Sequence, residues 1–218
     1  MDARTLYIGD VHGCADELSL MLEKFAFVRG KDTVYQTGDM INKGPDSVGA
    51  LRIIQENQIR CVLGNHEMGL LHCIHEPQEK RTLKQRHRIE ALENIDWVLS
   101  VISQFPLWID TPHALLVHAG LEPGKKNLSE MNPHILVSIR TWDGAGADLK
   151  SKENPPWFEC ISWEKPVVFG HWAENGLVNL PDFKGLDTGC VYGKALSAWC
   201  PEEDRFYQVP ARKVYCPI

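Results

Sequence analysis

The chain has 218 residues, 44% hydrophobic and 24% charged, with a formal charge of −6. That length suits one well-buried core in ordinary globular proportions, so a single domain over 1–218 is expected. The negative charge argues against an extended surface tracking nucleic-acid phosphates, and leaves room for a small basic pocket that takes polyphosphate.

The seven cysteines, Cys14, Cys61, Cys73, Cys160, Cys190, Cys200 and Cys216, are irregularly spaced and form no CxxC pair. A disulfide framework and a zinc knuckle are both disfavoured, and small buried thiols are expected. Met1 to Thr5 runs into a strand without a signal-peptide core, and no apolar run approaches membrane-spanning length. A reduced, cytoplasmic compartment is expected, with no membrane contact.

In chain order, Thr5-Leu6-Tyr7-Ile8 reads as a strand ending in Gly9-Asp10-Val11-His12-Gly13. Its glycines allow a tight turn and close approach to a ligand. A helix follows, with Leu18, Met21, Leu22 and Phe25 on one face and Asp16 and Glu17 at its dipole-favoured first turn. Thr33 to Thr37 is a second strand, ending in Gly38-Asp39. Pro45 can open the next helix, whose stripe is Val48, Leu51 and Ile54. Arg60 to Leu63 is a third strand, ending in Gly64-Asn65-His66-Glu67. There a neutral oxygen ligand stands beside a titratable imidazole, which suits a hard cation with an acid or base next to it. Taken alone, the tetrapeptide is equally an Asn-capped helix start. Three strand–motif–helix units imply a parallel sheet with all three motifs at one rim.

Residues 76–91 are polar, an exposed helix or a connection. Lys80, Arg81, Lys84, Arg86 and Arg88 read as a solvated face in preference to an anion site. Ile95 to Val101 looks helical, with Trp97 and Val98 inward. Pro106–Ile109 and Ala114–Val117 read as a hairpin ending in His118-Ala119-Gly120. Residues 141–160, rich in Gly, Pro and aromatics, read as a loop or small cap. Pro166 to Phe169 is a strand ending in Gly170-His171. Leu186–Gly189, Ala195–Trp199 and Phe206–Val209 read as short antiparallel strands.

Five strand ends therefore carry Asp10 and His12, Asp39, Asn65 and His66, His118, and His171. Singly, such residues are more often rim or core polar groups. Together they can surround two divalent cations about 3.5–4 Å apart, with one aspartate shared. Mixed nitrogen and oxygen donors suit Mn, Fe, Co or Zn better than Mg or Ca.

The motifs GDVHG (9–13), GDMINKG (38–44), GNHE (64–67), HAG (118–120) and GH (170–171) resemble, in type and order, those of the calcineurin-like metallophosphoesterases of the phosphoprotein-phosphatase type. The resemblance implies an α/β fold, a four-layer β-sandwich flanked by helices. It implies Asp10 and His12 on one cation, Asp39 bridging, and Asn65, His118 and His171 on the second. Two divalent ions, Mn2+ foremost, would carry a bridging hydroxide that attacks phosphorus. His66 would protonate the leaving oxygen, with Asp10 and Asp39 as the other catalytic residues. Lys43, Arg140 and Asn65 would bind substrate phosphate.

Phe169-Gly170-His171-Trp172-Ala173, Gly185-Leu186-Asp187-Thr188-Gly189-Cys190 and Pro156-Trp157-Phe158 are similar to segments of the symmetrical diadenosine tetraphosphatases. That likeness implies a dinucleoside polyphosphate split to two ADP. A serine/threonine or broad-specificity protein phosphatase is the alternative enzyme, and phosphoproteins or capped RNA 5′ ends are the alternative partners.

Asn42 and Lys43 stand where the protein phosphatases usually carry Asp-Arg. A carboxylate near an imidazole favours its protonated form more strongly than an amide can. Lys in place of Arg exchanges a two-pronged donor for a point charge. Both changes favour phosphoanhydrides, whose leaving phosphate has a pKa of about 6. Trp142, Trp157 and Phe158 are candidates to stack a base, although packing is the favoured role. His72 and His75 are one helical turn apart and read as helix-face residues in preference to a second metal site. Asp187 is either an orienting residue or a turn residue.

Overall fold

Strands β1 (Thr5–Ile8), β2 (Thr33–Gln36) and β3 (Arg60–Cys61) pair in parallel, in line with three strand–helix units. The computed structural model describes residues 2–90 and 92–217, apart from the side chains of Lys84, His87 and Arg88. The solvated-face expectation for Lys84 and Arg88 therefore lies outside the described residues. The remaining strands are β4 (Trp108–Asp110), β5 (Leu115–Val117), β6 (Val167–Phe169), β7 (Val178–Asn179), β8 (Phe183–Gly185), β9 (Ala195–Cys200) and β10 (Arg205–Pro210). Among the described residues they form two five-stranded sheets, ordered β10-β9-β1-β2-β3 and β4-β5-β6-β8-β7.

The central strands are apolar on both faces, and their period of two decides where each side chain goes. Tyr7 of β1 points between the sheets and meets Leu116, Val168 and Trp199, while Leu6 and Ile8 point to the outer helices. In β5 and β6, Leu116 and Val168 face the interior, and Leu115, Val117, Val167 and Phe169 face the other outer layer. Helices α1 (Ala15–Lys24), α2 (Ser47–Glu56) and α5 (Ile95–Ile102) cover the first sheet through Leu18, Met21, Leu51 and Val98. Helix α6 (Pro133–Ser138) and the short turn Trp157–Glu159 cover the second. The layers are therefore helix, sheet, sheet, helix, as the family resemblance implied.

Helix starts follow local chemistry. Asp46 caps α2, its carboxylate accepting from the Gly49 amide at 2.6 Å. Helix α3 (Asn65–His75) starts at Gly64, whose N–H donates to Glu67 at 3.1 Å.

Of the two forms expected for residues 76–91, the exposed helix is the one found over 83–90, α4 (Leu83–Glu90). Arg81 donates to the carbonyls of Glu76 and of Ile74 at the end of the preceding helix, and Arg86 to those of Arg81 and Gln78. One expectation changes. Leu186–Gly189 is a loop; the strand before it, β8, ends at Gly185 and runs parallel to β6. The strand is set by Phe183 packing on the outer layer, and the loop by a buried Asp187 that leaves the ladder. The hairpins β4–β5 and β9–β10 are antiparallel as expected.

Candidate active site

The carboxyl ends of β1, β2, β3, β5 and β6 meet at a cleft of about 400 Å3 whose walls include His12, Asp39, Asn65, His66 and His171. The turns that aim these groups are tight. His12, Asp39, Asn42, Lys43 and His171 all carry positive φ, at 48°, 56°, 70°, 68° and 67°. Such non-glycine conformations cost about 1–3 kcal/mol each and persist only where surrounding contacts enforce them. Here the amide of His12 donates to Asp39 O at 2.8 Å, and that of Gly13 to Met40 O at 2.7 Å. Gln36 clamps the first two motifs: its amide nitrogen donates to Gly9 O and Gly38 O, and its oxygen accepts from Gly38 N. A Cβ on Gly170 would lie 1.9 Å from Asp10 Oδ1, so only glycine lets this strand end approach the carboxylate.

Asp39 is central. Its Oδ2 is 3.5 Å from His12 Nε2 and 4.0 Å from His66 Nε2, and its Oδ1 is 3.5 Å from His118 Nε2. Two triads share it, His12–Asp39–His66 and Asp39–His118–His171, each with ligand atoms within 4.8 Å of one another. Asn65 Oδ1 lies 3.0 Å from His118 Nε2 and 2.9 Å from His171 Nδ1. His118 Nδ1 donates to Thr37 O at 2.7 Å, which leaves Nε2 bare toward Asn65 and Asp39. Acceptors thus converge on one another, and the buried Nε2 of His171 has no hydrogen-bond partner among the described residues. A set of this kind fits a cation.

The charge states agree with that fit. Burial holds His118 down at about 4 and keeps His12 and His171 well below the ordinary imidazole range, so these rings are neutral donors. Burial raises Asp39 to about 7. Burial, Asp187 and Asp39 together raise Asp10 well above the usual carboxyl range. A nearby dication reverses this by favouring the ionised forms. Asp10 lies outside both triads: its oxygens accept from Thr37 Oγ1 at 2.9 Å and from the His171 amide at 3.0 Å. His66, expected as an acid, occupies the triad with His12.

The basic residues divide. Lys43 Nζ is 2.9 Å from His12 Nε2. Arg140 lines the cleft, and its buried Nε has no partner among the described residues. Asn42 Nδ2 is 3.1 Å from His66 Nδ1, so the amide expected in place of a carboxylate does reach the imidazole.

A family model described as calcineurin-like phosphoesterase matches residues 3–193. The chain belongs to the calcineurin-like phosphoesterases. A symmetrical bis(5'-nucleosyl)-tetraphosphatase of Hamiltonella defensa is 31% identical, covering 94% of this chain and 96% of that protein. The enzyme of that name from Neisseria meningitidis is 28% identical, covering 94% of each. A solved structure provisionally named a diadenosine tetraphosphatase superposes with a TM-score of 0.85 at 31% identity, covering 97% of this chain and 95% of that one. The first of these alignments spans 267 positions, more than the 218 residues here, so that relative carries segments this phosphoesterase lacks.

Several residues of the phosphoesterase site escaped the sequence reading. Glu67 is fully buried and accepts from the amides of Asp39, Ile41 and Gly64, tying the second motif to the third. Its signal was the acidic residue at the third helical position. Thr37 and Gln36, polar positions at the end of a buried strand, were a second signal. Asp187, for which the sequence left an orienting and a turn role open, is buried at the cleft and accepts from the amide of Gly189, two residues on, at 3.0 Å, the bond a turn residue makes. The three aromatic candidates do not line the cleft. Trp157 is wholly buried against Gly120, Phe158 packs with Phe169 and Phe183, and Trp142 covers Gly146. Their size fills the outer layer. His72 and His75 are exposed on α3 and join neither triad.

Proposed function

We propose that this phosphoesterase hydrolyses dinucleoside polyphosphates, splitting diadenosine tetraphosphate symmetrically into two ADP, as one domain in the cytoplasm. The observation that carries the reading is Asp39 facing two imidazole sets at once. The substrate is supported by the names of relatives that align over nearly the whole chain. Seven free cysteines support a reducing compartment.

We assign Asp10, His12 and Asp39 to one divalent cation and Asp39, Asn65, His118 and His171 to the other, with Mn2+ as the resident ion. Asp10 keeps free lone pairs for this beside its two hydrogen bonds. Bound there, the cations would neutralise phosphate charge and acidify water. The chain supplies the rest. Lys43 and Arg140 hold phosphate oxygens, the second through a two-pronged guanidinium. Asn65 steadies the phosphate nearest His118. His66, beside the Asn42 amide, passes a proton to the departing phosphate oxygen. ADP leaves readily, its phosphate having a pKa of about 6, so a strongly held proton is not required.

Incubation of the purified chain with Mn2+ and diadenosine tetraphosphate tests this. ADP as the one nucleotide product is expected. ATP with AMP, or faster turnover of phosphopeptides, overturns the assignment.

A further inference from the structure

Tyr192 and Lys194 line one side of the cleft, and neither the metal-ligand assignment nor the phosphate contacts above use them. Cys190–Tyr192 is a single tight turn between Gly189 and Gly193, which have φ of 74° and 84°. The C-terminal tail pins it: the amides of Tyr215 and Cys216 both donate to Val191 O, at 3.1 and 3.0 Å. A Cβ on Gly193 would lie 2.6 Å from the Val214 side chain, so the tail sits directly on the turn. Cys190 and Val191 are buried, whereas Tyr192 is half-buried and Lys194 exposed, both at the cleft.

Among the described residues lining this cleft, Tyr192 is the one Phe, Tyr or Trp. Its ring face looks toward the reacting centre, because Lys43 Nζ stands over it at 5.3 Å from the centroid. The same ammonium is hydrogen-bonded to His12 Nε2 at 2.9 Å, so it bridges the ring and the reacting centre. Lys194, exposed at the cleft, makes a longer hydrogen bond, its Nζ donating to Ala173 O at 3.4 Å. An aromatic face on a pinned turn with two ammonium groups beside it suits a flat base joined to phosphates.

We propose that Tyr192 is the platform on which one nucleoside of the substrate stacks, with Lys194 pairing a phosphate of the same arm. The proposal rests on the nucleotide reading above and makes nucleoside polyphosphates, in preference to base-free phosphoesters, the favoured class. Lys43 leaves the ring for the phosphate chain as the base arrives.

The test compares inhibition by ADP and by inorganic pyrophosphate, which share a diphosphate and differ by the nucleoside. Turnover of p-nitrophenyl phosphate is the reporter, so the result does not depend on which dinucleotide is cleaved. In the native chain ADP should inhibit more tightly than pyrophosphate. Tyr192→Ala and the volume-keeping Tyr192→Leu should weaken ADP about 5- to 150-fold relative to pyrophosphate, the range that base stacking supplies. Tyr192→Trp should restore the preference. An unchanged ratio in Tyr192→Leu overturns the platform. Failure of the native chain to release ADP from diadenosine tetraphosphate instead overturns the parent reading, and the two failures are read separately.

Discussion

The side-chain amide of Asn42 lies 3.1 Å from Nδ1 of His66. An amide there orients the ring but stabilises an imidazolium less than a carboxylate does. His66 is thereby suited to leaving groups that need little help. Replacing Asn42→Asp together with Lys43→Arg should raise turnover of a phosphoserine peptide relative to diadenosine tetraphosphate by about 10- to 100-fold, within what acid catalysis contributes. Parallel rates on the two substrates measure it. A ratio that stays flat would show that the 42–43 pair does not set the leaving-group preference.

Asp39 shares its carboxylate between two triads, so its loss should affect both cations. Asp39→Asn removes the charge and leaves the size unchanged. After dialysis, elemental analysis should find less than one Mn2+ per chain, against about two in the native chain. His171→Ala, in one triad, should keep about one. Equal stoichiometry in the two variants would mean that Asp39 serves a single ion.

Much of this centre was legible in the chain because each candidate ligand follows an apolar strand and all but His118 stand beside a glycine. The strand dictates where the group arrives, and the glycine allows the close approach. Asp39 and His12 could be paired on that basis without coordinates. Glu67 could not, since its role depends on three amides from two different motifs meeting one carboxylate. The same limit applied to Tyr192. Aromatic content pointed to residues 141–160, yet Trp157 filled the outer layer, and the ring that lines the cleft came from a turn held by the distant tail. Contacts across a long sequence separation leave no periodic mark in either partner.

Protonation should couple to metal binding with a definite sign. Asp39 is held at about 7, against an ordinary 3.8. The folded chain then keeps a proton that the unfolded chain has released, so without cations this group weakens stability as pH rises from about 4 to 7. His118, held at about 4 against 6.5, acts oppositely: stability grows with pH across that interval, because only the unfolded ring is protonated. Cations compete with the Asp39 proton, so their stabilisation should increase through neutral pH. Added Mn2+ is expected to raise the melting temperature more at about pH 8 than at about pH 5.5. An equal rise at both, measured by calorimetry, would contradict the sharing of Asp39 between proton and metal.

Glu67 offers a test of how the second and third motifs are held together. Its buried carboxylate accepts from Asp39, Ile41 and Gly64 amides at 2.9, 3.1 and 3.1 Å. Burial and the Asp39 charge raise it to about 7, so the three N–H donors only partly offset desolvation. Removing the carboxylate leaves those donors unsatisfied, at about 1–3 kcal/mol for each fully desolvated group. Glu67→Ala should therefore lose about 3–5 kcal/mol in urea denaturation. Glu67→Gln keeps one acceptor oxygen and should lose about half as much. Both variants should also bind Mn2+ more weakly, because the amide of Asp39 is no longer fixed and its positive-φ turn relaxes. A Glu67→Ala chain with native stability and native metal affinity would show that the turn is held by its other contacts, those of Gln36 and of the His12 and Gly13 amides, without Glu67.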